Sequence, residues 1–164
     1  MPIDGEIFKQ LGRTAAGAVS VISAYDQTGT NIIALTVSSF ATLSFDPPLA
    51  MFAIQHNADS YASLVESKAF GVSLLDTAQI DVARRFSRKG REKIEGFKFD
   101  RGIAANVPLI PNALAHIECS TDQNFSSGDH AIIVGLIEGS RTREGQPLLY
   151  FARQYGTFKP LATV

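Results

Sequence analysis

The sequence has 164 residues, a length that fits one domain burying roughly 70% of the surface exposed by its unfolded chain. Hydrophobic residues make up 45% and charged residues 19%, and the formal net charge is −1, which excludes intrinsic disorder and gives no overall field for nucleic acid or an anionic membrane. The single cysteine, Cys119, excludes an intramolecular disulfide and a multi-cysteine metal site.

Two further features of the composition concern location and assembly. No apolar run approaches the ~20 residues that span a bilayer. The first ten residues, MPIDGEIFKQ, lack the basic-then-apolar order of a signal peptide. We therefore expect a cytoplasmic protein without a membrane segment, and the low charge content suggests an additional surface buried between subunits.

The first half of the chain is rich in strand patterns. Asp4 is placed to cap a short helix with Ile7, Phe8 and Leu11 on one face. Three strands are then predicted at residues 18–25, 32–38 and 49–55. The turn-forming residues 26–29 indicate a hairpin between the first two, and Pro47 and Pro48 break the chain before the third.

The second half alternates short helices and longer strands. A helix is predicted over 58–67, a strand over 69–75, and a further helix capped by Asp76. Residues 87–111 are predicted to form a long surface loop. Strands are then predicted at 114–123 and 130–139, joined by a turn over 124–129, with a last strand at 148–152. Tight connections favour antiparallel pairing, so we predict a β-barrel with two or three peripheral helices.

Several chemistries lack their sequence motifs. The chain has no dinucleotide-binding G-x-G-x-x-G after a strand, no phosphate-binding P-loop, no zinc-protease H-E-x-x-H and no nucleophile elbow. The histidines at positions 56, 116 and 130 have no metal-ligand spacing. Asp129 and His130 are adjacent, and adjacent strand residues point to opposite faces, so the sequence argues against a catalytic dyad. A hydrolytic enzyme is not supported.

Two polar clusters are candidate binding segments. Hydroxyls and freed amides at the end of a strand, in residues 36–40, can hold a phosphate or the edge of a heterocycle. Residues 55–60 lie between a strand and a helix start, where amides suit an anion. The alternatives are an ordinary solvent-facing strand for the first cluster and a helix cap by Asn57 or Asp59 for the second.

A basic run and one histidine complete the candidates. Six basic residues fall within ten positions: Arg84, Arg85, Arg88, Lys89, Arg91 and Lys93. Such a run is a solvated face, a phosphate clamp or a nucleic-acid patch, and the last is weakened because only Phe86 is available to stack on bases. His130 is either structural or a proton donor and amide clamp.

The ordered motifs resemble the short flavin reductases that serve as reductase components of two-component flavin monooxygenases. The segments that carry the resemblance span almost the whole chain: 16–22, 35–40, 43–49, 70–75, Gln79, Phe86, 128–130, 147–150, Arg153 and Tyr155. Each segment alone is a weak signal, and the resemblance depends on their order.

The resemblance implies an FMN-binding split β-barrel that works as a homodimer. It also implies hydride transfer from NADH or NADPH to FMN or FAD, with reduced flavin passing to a separate oxygenase. By position, the implied flavin-binding residues are Thr36, Val37, Ser38, Ser39, Gln55, Asn57, Ser60, Arg85 and Phe86. The residues implied around the nicotinamide nucleotide are His130, Tyr150, Arg153 and Tyr155.

Two other classes of function stay open from the sequence. One is a non-catalytic flavin-binding or electron-carrier protein with the same barrel, which would not need the residues implied around the nicotinamide nucleotide. The other is a nucleic-acid-binding barrel that uses the basic run over 84–93. The sequence does not choose between FMN and FAD, or between NADH and NADPH, and it does not identify the oxygenase.

Overall fold

A computed structural model describes residues 2–161 of the chain. Within that range the helices are α1 (Gly5–Arg13), α2 (Tyr61–Val65) and α3 (Ile80–Phe86), the last preceded by a 3₁₀ turn over Thr77–Gln79. The strands are β1 (Gly17–Ala18), β2 (Ser20–Tyr25), β3 (Ile32–Val37), β4 (Ala41–Ser44), β5 (Leu49–Gln55), β6 (Ala69–Leu74), β7 (Asp100–Arg101), β8 (Pro108–Leu109), β9 (Ala115–Ser127), β10 (His130–Thr142), β11 (Leu149–Phe151) and β12 (Gln154–Gly156).

The main sheet has seven antiparallel strands in the order β3-β2-β6-β9-β10-β5-β4. Two smaller antiparallel sheets combine β1, β11 and β12, and β7 with β8. Strands β3 and β4 are the two edges of the main sheet and do not pair with each other, so the barrel is split rather than closed. The predicted mainly β fold with peripheral helices is confirmed.

Strand β2 is buried on both of its faces because it separates two hydrophobic clusters. Ile22 packs with Phe52 and Phe70 in the cluster inside the curved sheet. Its neighbour Val21 points the other way, into a cluster that contains Phe86 of α3. Successive strand side chains alternate in direction, so one strand supports both cores. Helix α3 is thereby fixed against the outside of β2 and β3.

Both predicted helix caps are present. The Asp4 side chain accepts hydrogen bonds from the amides of Glu6 and Ile7 at the start of α1. Asp76 accepts from the amide of Ala78, and Gln79 accepts from the amide of Asp76, which completes a capping box. The Ala78 amide is the main reason that the pKa of Asp76 lies below its ordinary value.

The sequence reading differs from the structure in several elements. Helix α2 is shorter than the predicted 58–67, and the predicted surface loop over 87–111 contains β7 and β8. The predicted turn over 124–129 is wrong: β9 and β10 stay paired to Ser127 and His130, since Asn and Ser in this hairpin pair with the facing strand instead of bending the chain. Gly128, with φ of +62°, makes the tight turn without strain. Strands β4 and β12 were not predicted.

Candidate active site

An open cleft of about 480 Å³ lies along the outer edge of β3. Five other segments complete it: the end of β5, the turn before α2, the end of α3, the basic loop that follows, and the start of β10. Because β3 is an edge strand, its outer backbone amides and carbonyls are free of a neighbouring strand. The residues that line the cleft are Leu35, Thr36, Val37, Ser38, Ser39, Ala53, Ile54, Gln55, Asn57, Ala58, Asp59, Ser60, Phe86, Ser87, Arg88, Lys89, Lys93 and His130.

Two of the three predicted hydroxyls hold the walls of the cleft together. Thr36 Oγ1 donates to the carbonyl of Ala83 at 2.8 Å, which ties β3 to α3. Ser39 Oγ donates to the carbonyl of Ala53 and accepts from its amide, both at 3.0 Å. Ser38 lines the cleft and is exposed, with its hydroxyl unpaired within residues 2–161. The strand edge and Ser38 therefore provide the polar groups for a ligand on this side.

Strand pairing brings the opposite wall together from distant parts of the sequence. Gln55 at the end of β5 faces His130 at the start of β10 in the antiparallel register. The amide of His56 donates to the carbonyl of Asp129 at 2.9 Å, which fixes the two chain segments beyond the last strand pair. Asn57 is exposed beside them, and Ser60 is buried at the start of α2.

Asp129 and His130 interact directly, so the expectation that they point apart is wrong. His130 Nδ1 lies 2.6 Å from Asp129 Oδ1. Strand alternation does not apply, because Asp129 belongs to the turn and only His130 belongs to β10. The hydrogen bond from His130 is the main reason that the pKa of Asp129 lies below its ordinary value. Since an ionised carboxylate only accepts, we assign the proton to Nδ1, and Nε2 is left for other contacts.

The basic run divides into two groups with different contacts. Arg88, Lys89 and Lys93 line the cleft. The Lys93 ammonium donates to the carbonyl of Arg88 at 3.1 Å, and burial lowers its pKa against an opposing effect of Asp59. Asp59 in turn accepts from the amide of Gly90 at 2.7 Å. One end of the cleft therefore carries three cations on a loop that is held in place.

Arg85, the predicted phosphate clamp, makes structural contacts instead. Its guanidinium donates to the carbonyls of Lys93 and Glu95, and it lies 5.3 Å from the centre of the Phe97 ring. It does not line the cleft. A planar group with five donors is well suited to binding two carbonyls of a loop. Arg85 thus shapes the loop that presents the other cations, which the sequence run did not distinguish from it.

The remaining predicted residues lie in or behind other walls. Phe86 is 1% exposed and packs edge-on to Phe97, with ring centres 5.0 Å apart, so it forms the floor of the cleft. Tyr150, Arg153 and Tyr155 belong to the β11–β12 hairpin and are not among the residues that line the cleft of the same chain. Tyr150 and Tyr155 pack with ring centres 5.3 Å apart. Desolvation raises the pKa of Tyr155.

The part of the chain that the structure describes contains neither a candidate metal site nor a helix suited to span a membrane. Residues 2–161 contain no group of three or more His, Cys, Asp or Glu side chains placed to hold a metal ion. None of the helices in that range has the length and apolar character needed to cross a membrane. Cys119 is fully buried, and burial raises the pKa of its thiol to about 12.

The sequence and the fold are both similar to known proteins. The family described as flavin reductase like domain matches residues 11–159. A reductase component of 4-hydroxyphenylacetate 3-monooxygenase from Thermus thermophilus is 34% identical over 92% of this chain and 94% of its own length. An actinorhodin polyketide dimerase from Streptomyces coelicolor is 32% identical over 92% of this chain and 84% of its own.

The similarity to one solved structure extends over the whole fold. The NADH:FAD oxidoreductase of Streptomyces globisporus C-1027, in complex with NAD and FAD fragments, superposes with a TM-score of 0.87 at 25% identity. The match covers 99% of each chain. The similarity therefore includes the β3 edge, the basic loop and the β11–β12 hairpin.

Proposed function

Because this chain belongs to the flavin reductase like family, we propose that it transfers hydride from a reduced nicotinamide to a flavin and supplies the reduced flavin to a partner monooxygenase. The observation that carries the proposal is the cleft itself. It joins a free strand edge to three cations at one end and to His130 at another. This arrangement suits a flat heterocycle that carries an anionic tail.

The residues present fit a flavin. When bound, the flavin and the nicotinamide supply the redox chemistry, and the protein supplies orientation and electrostatics. The free amides of the β3 edge and the Ser38 hydroxyl are donors that can stabilise negative charge on a ring edge. The cationic loop attracts the phosphate, and the Phe86 floor keeps water from one side. His130 Nε2 is free to contact a carboxamide or carry a proton at the cleft.

The nature of the two substrates can be tested by steady-state oxidation. We expect the purified protein to oxidise NADH or NADPH only when FMN or FAD is added or copurifies. NADH is the expected donor, since the solved relative is an NADH:FAD oxidoreductase. If no pair of nicotinamide and flavin supports oxidation, the proposal is refuted. Tight flavin binding without oxidation would favour the electron-carrier alternative.

We also propose that the working unit is a homodimer. The apolar face of α1 is uncovered in one chain, with Ile7, Phe8 and Leu11 each at least half exposed. The Tyr150–Tyr155 hairpin lies outside the cleft of its own chain, so a second copy is needed if these residues are to meet the nicotinamide. Light scattering should give about twice 17.7 kDa at micromolar protein. A stable monomer with full activity would contradict this.

The remaining predictions concern the surroundings of the protein. The oxygenase that receives the flavin is assigned only as a class, by analogy with the 4-hydroxyphenylacetate relative. The cytoplasmic location and the lack of nucleic-acid binding stay predictions from composition. Oligonucleotide affinity that falls steeply with salt would revive the nucleic-acid alternative for the basic run.

A further inference from the structure

The cationic end of the cleft also contains a carboxylate. Among the described residues that line the cleft, Asp59 is the only acidic one, and it lines the cleft together with Arg88, Lys89 and Lys93. Asp59 belongs to the turn before α2, whereas the three cations belong to the basic loop after α3. A phosphate attracted to this end of the cleft therefore meets one negative charge as well as three positive ones.

The Asp59 carboxylate is bound to the basic loop. Its Oδ2 accepts from the amide of Gly90 at 2.7 Å, which within residues 2–161 is the only hydrogen bond between residues 87–93 and the turn before α2. Gly90 has φ of +89°, a backbone conformation that other residues rarely adopt, and the turn there presents its amide to Asp59. Burial lowers the pKa of Lys93, and the negative charge of Asp59 acts against that effect. Asp59 thus interacts with an amide and with a cation of the loop.

Backbone amides and the side chains of Lys and Arg are also the usual donors to phosphate oxygens. A phosphate at this end of the cleft therefore needs the same partners that Asp59 uses. Two anions at one set of donors either repel each other or exchange places, and both lower the affinity for the phosphate. Asp59 is exposed, and charges at exposed sites interact weakly, so the effect on affinity is expected to be a few-fold.

We propose that Asp59 competes with the flavin phosphate for the donors of the basic loop, and that it thereby weakens flavin binding and speeds flavin release. This rests on the proposed function, because it presumes a flavin whose phosphate reaches the loop. A protein that supplies reduced flavin to a partner has to release the flavin in every catalytic cycle. Arg88 and Lys89 then favour binding of the phosphate, and Asp59 limits how long it stays.

The test removes the charge of Asp59 and keeps its hydrogen-bond acceptor. The side chain of Asp59→Asn still offers a carbonyl oxygen to the Gly90 amide, so the loop stays attached. Titration of flavin fluorescence should show the FMN Kd of Asp59→Asn falling by about threefold or more, a gain that loss of structure does not produce. The Kd of riboflavin, which lacks the phosphate, should stay as in the parent. Release of FMN, followed by stopped-flow fluorescence, should slow by a similar factor, and high salt should reduce the difference because it screens exposed charges.

Two further variants are the controls. Asp59→Glu keeps the charge and should bind FMN as the parent does, and Asp122→Asn removes a charge from an exposed residue outside the cleft and should change neither Kd.

Three results would overturn the inference. The first is an FMN Kd in Asp59→Asn that is unchanged or raised, and a raised value would show that the carboxylate is needed to hold the loop. The second is an equal fall for riboflavin, and the third is equally tight FMN binding in Asp59→Glu, which retains the charge. Because titration measures binding alone, tighter FMN binding in Asp59→Asn without oxidation of either nicotinamide would refute the proposed function and leave this inference standing.

Discussion

Replacing His130 with alanine should lower kcat/KM for the nicotinamide at least tenfold while flavin affinity stays within about twofold. Tenfold corresponds to about 1.4 kcal/mol of transition-state stabilisation. The reason is position: His130 lines the cleft opposite the β3 edge, its Nδ1 is bonded to Asp129, and its Nε2 has no hydrogen-bond partner among residues 2–161. Steady-state kinetics with varied nicotinamide, alongside flavin titration, measures the two effects separately.

His56 provides a matched control for that variant. It is the neighbour of Gln55, its ring packs 5.0 Å from the Tyr61 ring, and it does not line the cleft. His56→Ala should therefore leave the nicotinamide kinetics close to those of the parent. Thermal denaturation of both variants excludes loss of folding as the cause. A stable His130→Ala protein that reduces flavin at the parental rate would show that His130 has no part in hydride transfer.

Asp129→Asn examines how His130 is held. The carboxylate accepts from Nδ1–H at 2.6 Å, so it selects one tautomer and one ring orientation. An amide can accept or donate, and the selection is weakened. We expect a smaller fall in nicotinamide kcat/KM than in His130→Ala, with flavin affinity again unchanged. Asp122→Asn, on the exposed part of the same hairpin, removes the same charge and should have no effect.

The sequence predicts the ends of helices and strands well where a proline or a capping residue within a few positions marks them. The bounds of β5 coincide with the predicted 49–55, because Pro47 and Pro48 have no amide to donate to a neighbouring strand and polar residues follow Gln55. The Asp4 and Asp76 caps are likewise set by residues within four positions. The turn predicted over 124–129 is wrong because Asn and Ser favour turns as well as occurring in this hairpin, and only pairing with the opposite strand decides between the two.

For the candidate site, the sequence predicts which residues take part better than it predicts how they are arranged. The polar residues of 36–39 and 55–60 do meet in one cleft, although their sequence patterns say nothing of distance. The roles within the basic run depend on the carbonyls of Lys93 and Glu95, which capture the Arg85 guanidinium. Such contacts arise from the path of a loop without regular structure. No periodicity within the run could separate Arg85 from Arg88 or Lys89.

That division of roles gives the second large expected effect. The double variant Arg88→Ala/Lys89→Ala should raise the Kd for FMN at least tenfold, or about 1.4 kcal/mol, in line with losing hydrogen bonds to a charged group at a partly exposed site. Riboflavin, which lacks the phosphate, should bind the variant and the parent equally. Flavin fluorescence titration at one fixed ionic strength measures both, since such contacts weaken with salt.

Arg85→Ala is the contrasting variant, and its expected effect is on stability. The guanidinium donates to two loop carbonyls, and hydrogen bonds of a charged group each contribute roughly 1.5–3 kcal/mol when buried, less at this half-buried position. The midpoint of thermal unfolding should fall by several degrees, with any loss of FMN affinity matched by an equal loss for riboflavin. A selective loss of FMN affinity in Arg85→Ala, with riboflavin unaffected, would instead return the phosphate contact to Arg85. In that case the loop must rearrange when flavin binds, because Arg85 does not line the cleft here and its guanidinium is bonded to the carbonyls of Lys93 and Glu95.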